Sequence, residues 1–228
     1  MTARTRSGLV LLLALTSGAT DAIGLLALGG SFTSVMTGNL VLMGVAGAEG
    51  DGSLALHTAG AIVGFVLGAA VGSFVARTPQ TGDGIWPVAV TRAMLLEAAL
   101  LALYAVVWWA TGHGDHAAFL VTPMLFVNAM ALGLQSSAIQ RFGVSGLSTT
   151  YLTGTLTTVV IRLVHGHGLR AVSHSLGLLG GLVLGACLGA FAVHHAAVLV
   201  PLVQLVPLVV VLAVVLVRAR TREPVPVG

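Results

Sequence analysis

Lysine is absent from this chain of 228 residues, and acidic and basic residues together make up only 7% of it. A soluble domain carries about 25% charged residues, so this composition cannot coat a surface exposed to water. Cysteine occurs once, at Cys187 inside an apolar run, which excludes a disulfide framework and a cysteine metal centre. There is no Walker A loop, no Gly-x-Ser-x-Gly elbow, no His-Glu-x-x-His pair and no Gly-x-Gly-x-x-Gly pattern. ATP-driven and dinucleotide-dependent chemistry therefore have no motif to rest on. The ten arginines give a formal charge of +3, but Arg4, Arg6, Arg218, Arg220 and Arg222 crowd the two ends of the chain. They read as anchors at a membrane surface; no basic face for nucleic acid is expected.

What the chain has is apolar length. Hydrophobic residues make up 57% of it and the mean hydropathy is +1.03. Apolar runs cover approximately 8–29, 32–48, 54–76, 86–111, 116–139, 147–164, 173–194 and 197–217. About 20 residues of helix cross a bilayer, and without water each crossing must close its own backbone hydrogen bonds. The reading is an all-α membrane protein forming one integral domain over 1–228. Trp86 and the pair Trp108–Trp109 bracket the fourth run, about 33 Å apart on a helix, as an interfacial aromatic belt requires. Arg4, Arg6, Leu9 to Leu15 and Ser17-Gly18-Ala19 resemble a signal peptide, yet the apolar pattern continues to Leu28 and a matching segment recurs later, so retention is expected.

The recurrence is systematic. Thr37-Gly38-Asn39-Leu40 returns as Thr153-Gly154-Thr155-Leu156, and His57-x-x-Gly60 as His174-x-x-Gly177. The ladder Gly60, Gly64, Gly68, Gly72 returns as Gly177, Gly181, Gly185, Gly189, and Phe74 as Phe191. Two repeats are expected, approximately 8–111 and 116–217. If 32–48 and 147–164 dip into the membrane and return, six runs span and the halves are inverted. Both termini, Arg77, Arg141, Arg162 and Arg170 then lie inside, with Glu49, Asp51 and Asp115 outside, as the positive-inside rule asks. The alternative is eight spans in parallel repeats, which strands Arg77 and Arg141 outside. Arginine-only basic residues and Ala/Gly/Val/Leu richness suggest a high-GC bacterial genome, hence the inner membrane.

Two stretches carry a family resemblance. Gly18-Ala-Thr-Asp21-Ala-Ile with Phe32-Thr-Ser-Val-Met-Thr37-Gly38-Asn39-Leu, and Gly133-Leu-Gln135 with Thr149-Thr150-Tyr151-Leu-Thr153-Gly154-Thr155, resemble the two signatures of the YoaK-like family, domain of unknown function 1275. The resemblance covers nearly the whole chain. It implies six-span bacterial membrane proteins without an established activity, and it supplies no substrate. One departure is that Ser136 and Ser137 follow Gln135 where the family more often has Asn.

Polar residues inside the runs are the candidate functional groups. An ionised Asp21 within the first run costs about 2.5–3.5 kcal/mol on insertion scales. It is either a proton- or cation-linked carboxylate or a structural acceptor for Thr37 or Asn39. Thr37, Gly38, Asn39 and Thr153, Gly154, Thr155 mark two helix breaks whose ends would meet near the midplane. Glu97 is deep in the fourth run; Arg92, five residues earlier and so off its face, is expected to snorkel. Gln135, Asn128 and Gln204 either line a path or join helices. His57 and His174 would fall at opposite faces, which argues against a shared metal site. His165, His167, His113, His116, His194 and His195 lack the cysteine and carboxylate company of a metal centre. The glycine ladders let helices approach closely; the two ladder helices are expected to cross near the axis relating the halves, or to form a homodimer face.

The leading expectation is a secondary transporter or permease for a small solute, without cofactor or metal. Asp21, Thr37, Gly38, Asn39, Glu97, Gln135, Thr153, Gly154 and Thr155 would line its path. A membrane sensor or assembly partner is the rival reading. A lipid-modifying enzyme using His57 with Glu49 or Asp51 is a weaker one, and no enzymatic activity is expected.

Overall fold

A computed structural model describes residues 1–76, 85–112, 117–142 and 152–220. Arg77, His113, Asp115, His116, Thr149, Thr150, Tyr151 and Arg222 lie outside the described residues. Among those described, every regular element is a helix. The elements are α1 Ala3–Ala27, α2 Met36–Glu49, α3 Gly52–Ala76, α4 Val88–Ala110, α5 Ala118–Gln140, α6 Leu152–Val164, α7 Leu169–His195, a 3-10 turn Ala197–Leu199, and α8 Val200–Arg220.

Local chemistry sets the boundaries. Thr2 caps α1, its hydroxyl accepting from the Thr5 N–H at 3.2 Å. The helix stops where Gly29 and Gly30 take φ of +86° and +78°, a region that other residues rarely enter. Asp51 starts α3 by accepting from the N–H groups of Ser53 and Leu54, both at 3.0 Å, which satisfies donors that the first turn leaves free.

Six helices are long and apolar enough to cross a membrane: α1, α3, α4, α5, α7 and the Ala197–Ala219 stretch that holds α8. Two hydrophobic clusters fix their directions. One gathers Leu9 of α1, Ala76 of α3, Val90 of α4, Ile139 of α5, Leu178 of α7 and Val215 of α8. The other gathers Ile23, Ala61, Trp108, Met124, Ala192 and Val200 from the same helices. Each helix therefore runs from one cluster to the other. Taking the Leu9 cluster as the base, α1, α3 and α4 run up, down, up, while α5, α7 and α8 run down, up, down.

This direction pattern decides the topology. The top of α1 leads to the top of α3, so α2 enters and leaves at the same end. With 14 residues it is about 21 Å long, short of a core about 30 Å thick. The base of α5 likewise leads to the base of α7, and the 13-residue α6 between them is about 20 Å long. The chain thus has six spans and two short returning helices, and the eight-span alternative is excluded. Every arginine among the described residues falls at the base: Arg4, Arg6, Arg92, Arg141, Arg162, Arg170, Arg218 and Arg220. Glu49 and Asp51 lie at the top. Tryptophans tie down both ends: Trp86 packs on Phe142 at 5.0 Å between centroids, while Trp108 and Trp109 donate to the carbonyls of Ala197 and Val198 at 2.8 and 2.9 Å.

The ladder helices do not cross each other. The α3 glycines lie on α5, where a Cβ on Gly60 would meet Thr122 Cγ2 at 2.7 Å and one on Gly64 the Phe126 carbonyl oxygen at 2.5 Å. Gly68 abuts the Met130 backbone, and Gly72 that of Leu134. The α7 glycines lie on α1: Gly177 and Gly181 on Leu11, Gly185 on Leu15, and Gly189 on Ala19 with its carbonyl oxygen at 2.7 Å. Each pair is parallel, since residue numbers rise together. The physical reason is complementarity: a groove of glycines accepts a backbone ridge, and two facing grooves would leave a void. The ridges carry their own glycines, Gly133 against Phe65 and Gly18 against Leu182, which the ladder spacing does not reveal. Both ladder faces are thus covered within the chain, and neither is left as a homodimer face.

Candidate functional site

The first break is held by two buried side chains. Asp21, six residues before the end of α1, accepts four hydrogen bonds. Its Oδ1 receives Thr33 N at 2.8 Å, Thr33 Oγ1 at 2.9 Å and Ser34 N at 2.7 Å, and its Oδ2 receives Ser34 Oγ at 2.5 Å. The sequence reading offered Thr37 or Asn39 as its partners; the structure gives Thr33 and Ser34 instead. Residues 31–35 turn back into the bundle as non-helical chain whose buried donors have no helix ladder to join, and a carboxylate is a strong acceptor to receive them. Asn39, from the second turn of α2, completes the clamp: its Oδ1 accepts from Phe32 N at 2.9 Å and its Nδ2 donates to Phe32 O at 2.7 Å. Irregular backbone at membrane depth is tolerated where protein satisfies it in this way. Gly38 lies against the Phe32 ring, 3.2 Å from where its Cβ would be.

The Thr-Gly motifs do not themselves break a helix: Thr37-Gly38-Asn39 and Thr153-Gly154-Thr155 lie in the opening turns of α2 and α6, and the start of α6 faces the non-helical turn that precedes α2. A cleft of about 540 Å³ is lined by Ser34, Val35, Met36 and Thr37 from that turn and the start of α2, Thr153, Gly154 and Thr157 from α6, Phe65 of α3 and Ser136 of α5. Phe65 is near the middle of the 25-residue α3, so the cleft reaches mid-depth. Its described lining holds four backbone-adjacent hydroxyls besides Thr157, whose own hydroxyl donates to Thr153 O at 3.1 Å. No described lining residue is acidic or basic. The first turns of α2 and α6 both open on it, and helix N-termini carry partial positive charge.

Of the nine residues expected to line a path, Thr37, Thr153 and Gly154 are in this wall. Asp21 and Asn39 stand behind it as clamps, and Gly38 packs on Phe32. Thr155 shares the buried face of α6 with Leu152 and Val159. Gln135 is buried and donates to Leu13 O at 3.2 Å, joining α5 to α1. Glu97 is fully buried in α4, away from the cleft. Ser34, Phe65 and Ser136 are lining residues that the sequence reading missed. Ser136 stood out only as a departure from the expected Asn, which counted against a polar contact there, and neither Ser34 nor Phe65 had any spacing to mark it.

The remaining polar groups have local tasks. Gln204 donates to Asn128 Oδ1 at 3.0 Å and Asn128 to Met124 O at 2.8 Å, so these amides join α8 to α5. Nδ1 of His57 meets Thr122 Oγ1 at 2.8 Å and its Nε2 meets Ser53 Oγ at 3.2 Å, while Asp51 is occupied as the α3 cap. Arg92 is exposed, as a snorkelling side chain would be. Among the described residues no three His, Cys, Asp or Glu side chains converge as metal ligands.

Comparison with known proteins adds a family to this geometry. The family model described as "Protein of unknown function (DUF1275)" matches residues 9–217. The chain belongs to the DUF1275 family. A curated relative, UPF0700 transmembrane protein YoaK of Bacillus subtilis (strain 168), is 34% identical over 156 residues, covering 68% of this chain and 66% of the relative. The match thus spans slightly under two thirds of that protein. No solved structure matches the chain. This DUF1275 chain is therefore a multi-pass membrane protein, and the residues that the family model matches include all those described in the cleft wall.

Proposed function

We propose that this DUF1275 protein is a secondary transporter or permease for a small polar solute, held in the cleft between the starts of the two returning helices. The observation that carries the reading is the convergence of Ser34, Thr37, Ser136 and Thr153 on one cavity at mid-depth. Binding sites of secondary transporters recur where discontinuous helices meet. A wall of hydroxyls and helix N-termini without a charged side chain suits a neutral or electronegative solute better than a cation. The sequence recurrence, with α1, α3, α4 and α5, α7, α8 running in opposite senses, supports an inverted duplication. Alternating access would then rock one half against the other around the cleft. The arginine-rich base faces the cytoplasm in this reading, with both ends of the chain there and the protein in a bacterial inner membrane. No enzymatic step is assigned.

The test is uptake into vesicles carrying the purified protein, with a panel of labelled sugars, amino acids, carboxylates and inorganic phosphate. At least one solute should enter above protein-free vesicles. Gly154→Phe, which fills the cleft, should cut that uptake by about tenfold or more, a loss of about 1.4 kcal/mol or more in transition-state stabilisation. Uptake that is equal in the two proteins would overturn the assignment of the cleft. No uptake of any panel member by folded protein would overturn the permease reading.

A further inference from the structure

Asp21 uses both of its carboxylate oxygens; Glu97, the other acidic side chain buried in a long helix, uses neither. Glu97 has no exposed surface, and neither Oε1 nor Oε2 meets a hydrogen-bond donor among the described residues. It is nine residues from the base of α4 and thirteen from its top, too deep for a short side chain to reach either surface.

No charge on a neighbouring helix compensates it. α4 packs against α3, α5 and α8. α5 carries no titratable side chain between Ala118 and Gln140, and α8 carries none before Arg218 at the base. α3 carries only His57, near the top and bonded to Thr122. Arg141, just past the base end of α5, is buried and has its own contacts. On α4 itself Arg92 is exposed, and Tyr104, two turns above Glu97 on the same face, is buried with its hydroxyl also without a partner. A carboxylate ion left there would have neither a cation nor a donor among the described residues, and such a group neutralises instead of staying charged. A neutral carboxyl with an unpartnered O–H and C=O is tolerable. It is also poised, because no described residue uses it.

We propose that Glu97 is the proton-loading group of this protein: its carboxyl holds a proton in the conformation described and releases it to water when the bundle opens. One O–H bond breaks, the proton leaves to solvent, and the carboxylate remains until the bundle closes again. Its coupling to a solute rests on the transport reading above, with the proton as the co-transported ion; the protonation change itself does not. Asp21 is excluded from this part by its four donors, which hold it as a clamp.

The test is infrared titration of the full chain in lipid, with glutamate carrying carbon-13 at the side-chain carboxyl. The chain has three glutamates, Glu49, Glu97 and Glu223. A label-shifted carboxylic C=O band is expected near neutral pH. It should vanish in Glu97→Gln, persist in Asp21→Asn, and convert to a carboxylate band as pH is raised. If Glu97→Gln does not fold, a Glu223→Gln background leaves only Glu97 and the exposed Glu49, and the same band must appear there. Absence of the band, or a band unchanged over the whole pH range in which the fold persists, overturns the proposal. A titrating band in vesicles without solute-linked acidification sustains the proton site and removes the transport reading. Solute uptake without a titrating band does the reverse.

Discussion

Asp21 and Ser34 are thirteen residues apart in the chain and joined twice, Ser34 N to Asp21 Oδ1 at 2.7 Å and Ser34 Oγ to Asp21 Oδ2 at 2.5 Å. The pair closes the bend by which residues 28–35 leave α1, re-enter the bundle and start α2. It also puts Ser34 in the cleft wall, so one carboxylate serves the fold directly and the site only through its neighbour.

Removing that carboxylate should therefore act on stability first. Asp21→Ala leaves the buried Thr33 and Ser34 N–H groups without acceptors, and each buried donor left unsatisfied costs about 1–3 kcal/mol. A loss of about 3 kcal/mol or more is expected for Asp21→Ala, read as a lower midpoint of unfolding in detergent. Asp21→Asn keeps one acceptor oxygen and should lose less. Equal midpoints for Asp21→Ala and the parent would contradict the clamp.

The ladders give a paired test. Gly68→Val and Gly185→Val drive side-chain carbons into the backbones of Met130 and Leu15. Overpacking typically costs about 1–3 kcal/mol, and here backbone must move, so the upper end or beyond is expected. Gly180 lies beside the α7 ladder with nothing within 4 Å of its Cβ position. Gly180→Ala should be neutral or stabilising by up to about 1 kcal/mol through helix propensity. A similar loss at all three positions would mean that the ladders are not the contact faces.

Six spans with two returning helices place the α2–α3 and α6–α7 connections at opposite ends. In a Cys187→Ala background, Gly52→Cys and Gly168→Cys occupy open positions with nothing within 4 Å. An impermeant thiol reagent applied to intact cells should label position 52 and spare 168, with both labelled after lysis. Labelling of both in intact cells, or of neither, would contradict the fold.

The top of the bundle offers a smaller effect. Trp108 is 1% exposed and its indole N–H reaches Ala197 O, while Trp109 is 38% exposed and reaches Val198 O. Trp108→Phe should cost about 1 kcal/mol, since it removes the donor of a buried indole from a half-buried carbonyl. Trp109→Phe should cost less, because water or lipid headgroups replace the lost donor. Thermal unfolding of the two variants side by side gives the comparison; the reverse order would show that the α7–α8 turn is not held this way.

Much of this was legible in the chain itself. Run lengths and sparse charge select membrane helices because a bilayer imposes a fixed thickness and tolerates no open backbone. Thr37-Gly38-Asn39 and Thr153-Gly154-Thr155 marked the returning segments, and the arginines sorted to one end, because these are local properties of short stretches. The partners of Asp21, the seating of Gly64 on Phe126 instead of on the other ladder, the lining by Phe65 and Ser136, and the isolation of Glu97 were decided only by the tertiary structure. The physical reason is that lipid is as apolar as the protein core. A helix hydrophobic on every side carries no stripe that tells its inner face from its outer one. Which side chains meet then depends on how the helices pack, and that information exists only once they are together.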